Sequence, residues 1–144
     1  MISVDLARRL RDAGLVWHPA SGDAFSIESA ELGGEVFTVS DMTIEAHEFD
    51  TGTILGFNGT TEWALDSVAL ENALWLPREA QLRELLGSAF RSLAHIGGVY
   101  RCEILLPGAS AHDSSQRGEL AHFDAPNDAA AAYALALLAL LAAR

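Results

Sequence analysis

The spacing of apolar and polar residues divides the chain into helical stretches and strand-rich stretches. Near the start, Leu6, Leu10 and Ala13 share one helical face behind Ser3, a natural N-cap, with Asp5 where the helix dipole favours an acid. Gly14 is placed to close that helix in a left-handed conformation, with Leu15 or Val16 folding back onto its last turn. The turn-rich WHPASGD follows, and then the period changes. FSIES (25–29) is a short candidate strand, and EVFTVS (35–40) and MTIEAHEF (42–49) are rich in residues that favour strands. The last of these alternates, with Met42, Ile44 and Ala46 on one side and Thr43, Glu45 and His47 on the other. Asp50-Thr51-Gly52 supplies a turn and TILGF (53–57) another strand. Asn58-Gly59 then precedes Thr61, Trp63 and Leu65, which recur at period two. Asn-Gly between apolar runs predicts a hairpin, because a type I′ turn needs positive φ at both central residues. That hairpin puts Trp63 on an inward strand face.

Helical spacing returns in LWLPREAQLRELLG (74–87), where Leu82, Leu85, Leu86 and Ala89 follow the 3,4 rule. Pro77 suits the first helical position, Glu79 lies in the first turn, and Gly87 is near the end. Residues 90–96 and 99–106 suit two strands joined around Gly97-Gly98. The polar stretch 107–118 reads as a mobile loop, and ELAHFD (119–124) as a last short strand. The terminal segment PNDAAAAYALALLALLAAR predicts a helix opened by Pro126 and Asp128. Its uncharged run, residues 129–143, is shorter than the roughly 20 residues needed to span a bilayer. Leucines at 135, 137, 138, 140 and 141 cover more than one stripe, which implies deep burial within the domain or a shared helix at a dimer interface.

These elements predict a single α+β domain over residues 1–144. An antiparallel sheet of about six to eight strands is built from hairpins, with two or three helices packed on it. Short loops between strands favour antiparallel pairing over crossover connections.

Composition narrows the function. The chain has 144 residues and a formal net charge of −11. Its length suffices to bury a core without staples, and half its residues are apolar. Nucleic-acid affinity comes largely from neutralising phosphates with Lys and Arg, so this charge argues against nucleic acid and anionic membranes as partners. A basic protein, a cation or a neutral ligand fits better. Every basic residue apart from the histidines is Arg, which together with the abundance of Ala points to a GC-rich bacterial genome. A single cysteine, Cys102, rules out an internal disulfide and fits a reducing compartment. The opening MISVDLARRL lacks an apolar signal-peptide core, so a cytoplasmic location is expected, and the sequon at Asn58 carries no weight.

The chemistry-bearing residues are scattered. His18, His47, His95, His112 and His122 fall at no recognised metal-ligand spacing, so no metal or cofactor is expected. Glu45 with His47, and His122 with Asp124, each share a strand face, which is the ordinary pattern of a solvated sheet surface. Cys102 alternates with Tyr100 and Ile104 in a predicted strand, the setting of a small core residue rather than a nucleophile. No GxSxG, GxxxxGK[ST] or GxGxxG is present. Trp75 precedes the helix at Pro77, where an apolar residue commonly folds back onto the first turn. With Arg78 beside it, it is also the candidate interaction patch.

At VSDMTIE (39–45), GFNGTTEWALDSV (56–68) and ALWLPREAQLRELLG (73–87) the chain resembles a family of short actinobacterial proteins often labelled pilus assembly proteins. The label implies kinship with P-loop ATPases. This chain lacks the P-loop, so the resemblance implies at most an accessory role in surface-appendage assembly. The second half, with LPREAQLRELL and DAPNDAAAAYALALLALL, is similar to small phage-type α/β sandwich domains, which implies a helix, short sheet, helix order and no catalytic residue.

Two functions compete. One is a non-enzymatic interaction or adaptor module, with homodimerisation as one form, working through Trp75 and Arg78 and an acidic face. The other is a small enzyme or ligand-binding protein with a polar cleft near Asp41, Glu45, His47 and Glu62. An acidic immunity-type inhibitor is a third reading, resting on net charge alone. The absence of a catalytic motif favours the first.

Overall fold

The computed structural model describes residues 1–28, 35–39, 44–49, 52–57, 67–69, 72–108 and 118–144. In chain order the elements are α1 (Val4–Asp12), β1 (Ala24–Ile27), β2 (Val36–Thr38), β3 (Ile44–Phe49), β4 (Gly52–Phe57), β5 (Ser67–Ala69), β6 (Ala73–Leu76), α2 (Glu79–Leu86), β7 (Phe90–Ile96), β8 (Val99–Leu106), β9 (Glu119–Pro126) and α3 (Ala129–Ala142). The protein is therefore α+β, and every strand pairing among the described residues is antiparallel. The expectation of one sheet of six to eight strands is corrected. Among the described residues the strands form three three-stranded sheets, ordered β2-β1-β6, β3-β4-β5 and β7-β8-β9. The chain falls into two compact units, one comprising residues 1–15 with 78–144 and the other residues 16–77.

The first unit is organised around α3. Helix α1 starts where Ser3 accepts a hydrogen bond from the Leu6 amide at 3.1 Å. It ends as the sequence predicts: Gly14 has φ 109°, its amide donates to the Arg11 carbonyl, and Leu15 donates to Leu10. This pair of bonds closes the orphan carbonyls of the last turn. Two expected helix starts shift. Pro77 precedes α2, whose N-cap is Arg78, with its amide held by the Gln81 side chain at 2.9 Å. Pro126 is the last residue of β9, and α3 is capped by Asp128, which accepts from the Ala131 amide at 3.2 Å. Asn127 takes the positive φ of 55° that lets the chain turn from strand to helix, and its amide donates to the Gly98 carbonyl.

Strands β7 and β8 meet in a tight hairpin, Ile96 opposite Val99, with Gly97 and Gly98 both at positive φ. Glycine meets that requirement without steric cost. Strand β9 pairs along the whole of β8, from Val99 opposite Pro126 to Leu106 opposite Glu119. Just before β9, a Cβ at Gly118 would collide with the Leu106 carbonyl oxygen, so only glycine fits there. Cys102, Ile104 and Ala125 are buried on one face of the sheet, and α3 packs against β8 and β9 as well as against α1 and α2. Seven residues of α3 are buried, among them Tyr133, Leu137 and Leu140, while Leu135, Leu138 and Leu141 are partly buried. On the opposite sheet face Arg101, Leu120, His122 and Asp124 are exposed. Arg101 and Asp124 sit directly across from each other and form a bidentate ion pair at 2.8 and 2.9 Å.

The second unit holds the other two sheets. Strand β1 is central to β2-β1-β6, and Phe25, Ser26 and Ile27 are all buried. Phe25 lies opposite Phe37 on one side and Trp75 on the other. Trp17 stacks on Trp75 with ring centroids 6.4 Å apart and packs against Phe25 at 5.5 Å, giving an aromatic core completed by Ile27, Val39 and Ala73. Strands β3, β4 and β5 run as a meander, Ala46 opposite Leu55 and Leu55 opposite Val68. The expected hairpin tip Asn58-Gly59, together with Thr61, Trp63 and Leu65, lies outside the described residues, as does most of the 107–118 loop. Among the described residues β4 pairs with β3 on one edge and with β5 on the other.

Candidate functional site

The interaction patch expected at Trp75 and Arg78 is placed differently from the sequence reading. Trp75 is not a staple ahead of a helix. It is a residue of β6, half-buried, with its ring stacked on Trp17. Its indole Nε1 is buried and has no hydrogen-bond partner among the described residues. Arg78 belongs to the other unit, where it is exposed at the start of α2. Of the expected polar cleft, Glu45 and His47 are in β3, opposite Gly56 and Ile54. Asp41 and Glu62 lie outside the described residues.

The nearby turn has its own organising group. Asp23 is 3 % exposed, and one carboxylate oxygen accepts from Trp17 Nε1 at 2.9 Å and from the Ala20 amide at 3.0 Å. The Asp23 carbonyl accepts from Val39, whose own carbonyl accepts from Gly22. The buried carboxylate thus closes the WHPASGD turn on itself and fixes the Trp17 ring, while backbone bonds of Gly22 and Asp23 tie the turn to Val39 at the end of β2. Its role is structural.

Cys102 is fully buried, and burial pushes its thiol up to about 11, which leaves it protonated and inert at neutral pH. Among the described residues no three His, Cys, Asp or Glu side chains gather as a metal site would require.

Two features stand out instead. The first is electrostatic. Residues 16–77 contain eleven of the twenty acidic residues and none of the nine arginines, whereas the rest of the chain holds nine of each. The entire formal charge of −11 therefore belongs to one unit, and the other is formally neutral. Glu28 and Glu35 of that acidic unit are exposed. The total charge was legible in the sequence; its confinement follows only from where the chain divides.

The second is an open groove of about 700 Å³ in the neutral unit. Glu79, Ala80 and Arg83 of α2 form one wall, Phe90, Ser92 and Leu93 of β7 another, and Tyr133 of α3 lies at the base. Tyr133 is only 4 % exposed and packs against Phe90 with ring centroids 5.9 Å apart. Its phenol is raised above the ordinary value by burial first, then by the Glu79 and Cys102 charges, with Arg83 acting in the opposite sense. Sequence reasoning passed over these residues because Tyr133 sits in an Ala/Leu run. The available signals were a lone phenol in that run and the Glu79–Arg83 spacing of one helical turn.

Comparison of the chain with protein-family models, with curated proteins and with solved structures finds no match in any of the three.

Proposed function

We propose that the protein is a non-enzymatic interaction module whose acidic unit docks a basic surface of a protein partner. The observation that carries this reading is the confinement of the whole net charge to residues 16–77, which contain no arginine or lysine. A field of one sign steers oppositely charged partners and repels nucleic acid and other acidic surfaces. Such an accumulation opposes folding through self-repulsion, and a cationic partner relieves that cost. The resemblance to proteins labelled for pilus assembly supports an accessory role of this kind.

The test is affinity capture from the native host on the immobilised chain, with quantitative mass spectrometry at low and high ionic strength. The matched control is the triple variant Glu28→Gln, Glu31→Gln, Glu35→Gln. A basic partner should be retained near stoichiometry at low salt and released as the screening length shrinks from about 10 Å at 0.1 M to about 3 Å at 1 M. The triple variant should retain less of it at every salt concentration. Recovery of the chain alone, or a partner held equally by the variant and at high salt, overturns the reading.

A further inference from the structure

We propose that the groove between α2 and β7 binds a small zwitterion with an apolar side chain, the chemistry of a free hydrophobic α-amino acid. This goes beyond the docking role and concerns the other unit of the chain. Three observations converge on it. Tyr133 is 4 % exposed and lines the base of the groove, against Phe90. A phenol so placed offers an incoming ligand a hydroxyl donor beside an aromatic face. Glu79 and Arg83 stand one turn apart on the α2 wall, exposed, and neither forms an ion pair among the described residues. Both line the same groove as Tyr133, which gives it a carboxylate, a guanidinium and a hydroxyl. Ala80, Phe90 and Leu93 supply an apolar surface beside them.

This combination selects against simpler ligands. A plain anion attracted by Arg83 meets the Glu79 carboxylate, and a plain cation attracted by Glu79 meets the guanidinium. A dipolar ligand satisfies both, its ammonium at Glu79 and its carboxylate at Arg83 and the Tyr133 hydroxyl, while its side chain covers Phe90 and Leu93. The groove volume lies within the roughly 300–1,000 Å³ of small-molecule sites.

The experiment is a nitrogen–proton correlation NMR titration of the full chain with L-phenylalanine and L-leucine. Glycine, N-acetyl-L-phenylalanine and L-phenylalaninamide are the comparison ligands. Saturable shifts at Phe90, Leu93 and Tyr133 are expected with the two hydrophobic amino acids and not with glycine. Affinity should fall by about tenfold or more when either charge of the ligand is blocked, because a charge-assisted hydrogen bond is lost. Glu79→Gln and Arg83→Gln are exposed substitutions whose folding the same spectrum verifies, and each should weaken binding similarly. The absence of saturable shifts at the groove overturns the proposal. So does equal binding of the N-acetyl or amide compound, which would make the site a receptor for a chain terminus. An unchanged affinity in Glu79→Gln would likewise refute the assigned role of that carboxylate. None of these outcomes depends on residues 16–77, so failure here is separable from failure of the docking role.

Discussion

Replacing Asp23 with Ala removes the one acceptor shared by Trp17 Nε1 and the Ala20 amide. Both bonds end on a carboxylate that is 3 % exposed, so water cannot readily take its place. Hydrogen bonds to a charged group contribute about 1.5–3 kcal/mol each, and a buried donor left unpaired forfeits about 1–3 kcal/mol. Partial relaxation of the turn, and relief from holding a carboxylate out of water, offset part of that loss. The net expectation is about 3 kcal/mol of destabilisation, a large fraction of the roughly 5–15 kcal/mol that holds a typical domain together. Asp23→Asn keeps one oxygen in place without the charge and should lose about half as much. The assay is urea unfolding followed by tryptophan emission, since Trp17, Trp63 and Trp75 all fall within residues 16–77. Far-ultraviolet circular dichroism supplies a second probe, because all three described helices belong to the other unit. A tryptophan transition in Asp23→Ala within about 0.5 kcal/mol of the wild type would refute the idea that this carboxylate fixes the turn, that figure being the usual scatter of surface substitutions.

Two further perturbations probe the neutral unit. Leu137→Ala empties a fully buried position on α3 and should cost about 2–5 kcal/mol in the helix-detected urea transition; a loss under 1 kcal/mol would mean the site collapses around the cavity. Cys102 should resist thiol reagents until the chain unfolds. Its folded value of about 11 lies above the ordinary 9.0, so between those limits the unfolded chain gives up the proton first. Stability therefore falls as pH rises through that window, and Cys102→Ala should flatten the decline; an unchanged slope would assign it to other groups.

Local signals carried much of the fold. The Ser3 cap, the Gly14 closure and the Gly97-Gly98 hairpin are each specified by neighbours within a few residues, and the structure follows them closely. The failures share a cause. ALWL at 73–76 is a short unbroken apolar run, which periodicity cannot separate from the approach to a helix. It is β6, because Phe25, some fifty residues earlier, lies opposite Trp75. That pairing across sequence distance puts the tryptophan into an aromatic core instead of onto the first turn of a helix. The division into three sheets rests on the same kind of long-range information, since a list of hairpins does not say which hairpins join.

The candidate sites were hidden for a different reason. A groove wall made by Glu79 and Arg83, a floor from Phe90 and Leu93 and a base at Tyr133 draw on three elements. No spacing rule links residues that far apart, and each taken alone has an ordinary explanation. Glu79 favours a helix start, Arg83 decorates an exposed face, and Tyr133 fills a core. Only packing shows that the phenol and the two opposite charges line one groove. The acidic unit reverses this logic. Its composition was visible from the outset, but a charge of −11 averaged over the chain describes a merely acidic protein. Once the chain divides at residues 16 and 77, the same charge falls on 62 residues without a single arginine, next to a sequence in which acids and arginines balance. A solubility requirement would be met by acids spread over both units. Confinement to one is what a directional electrostatic encounter requires, and that is why the distribution, rather than the total, bears on function.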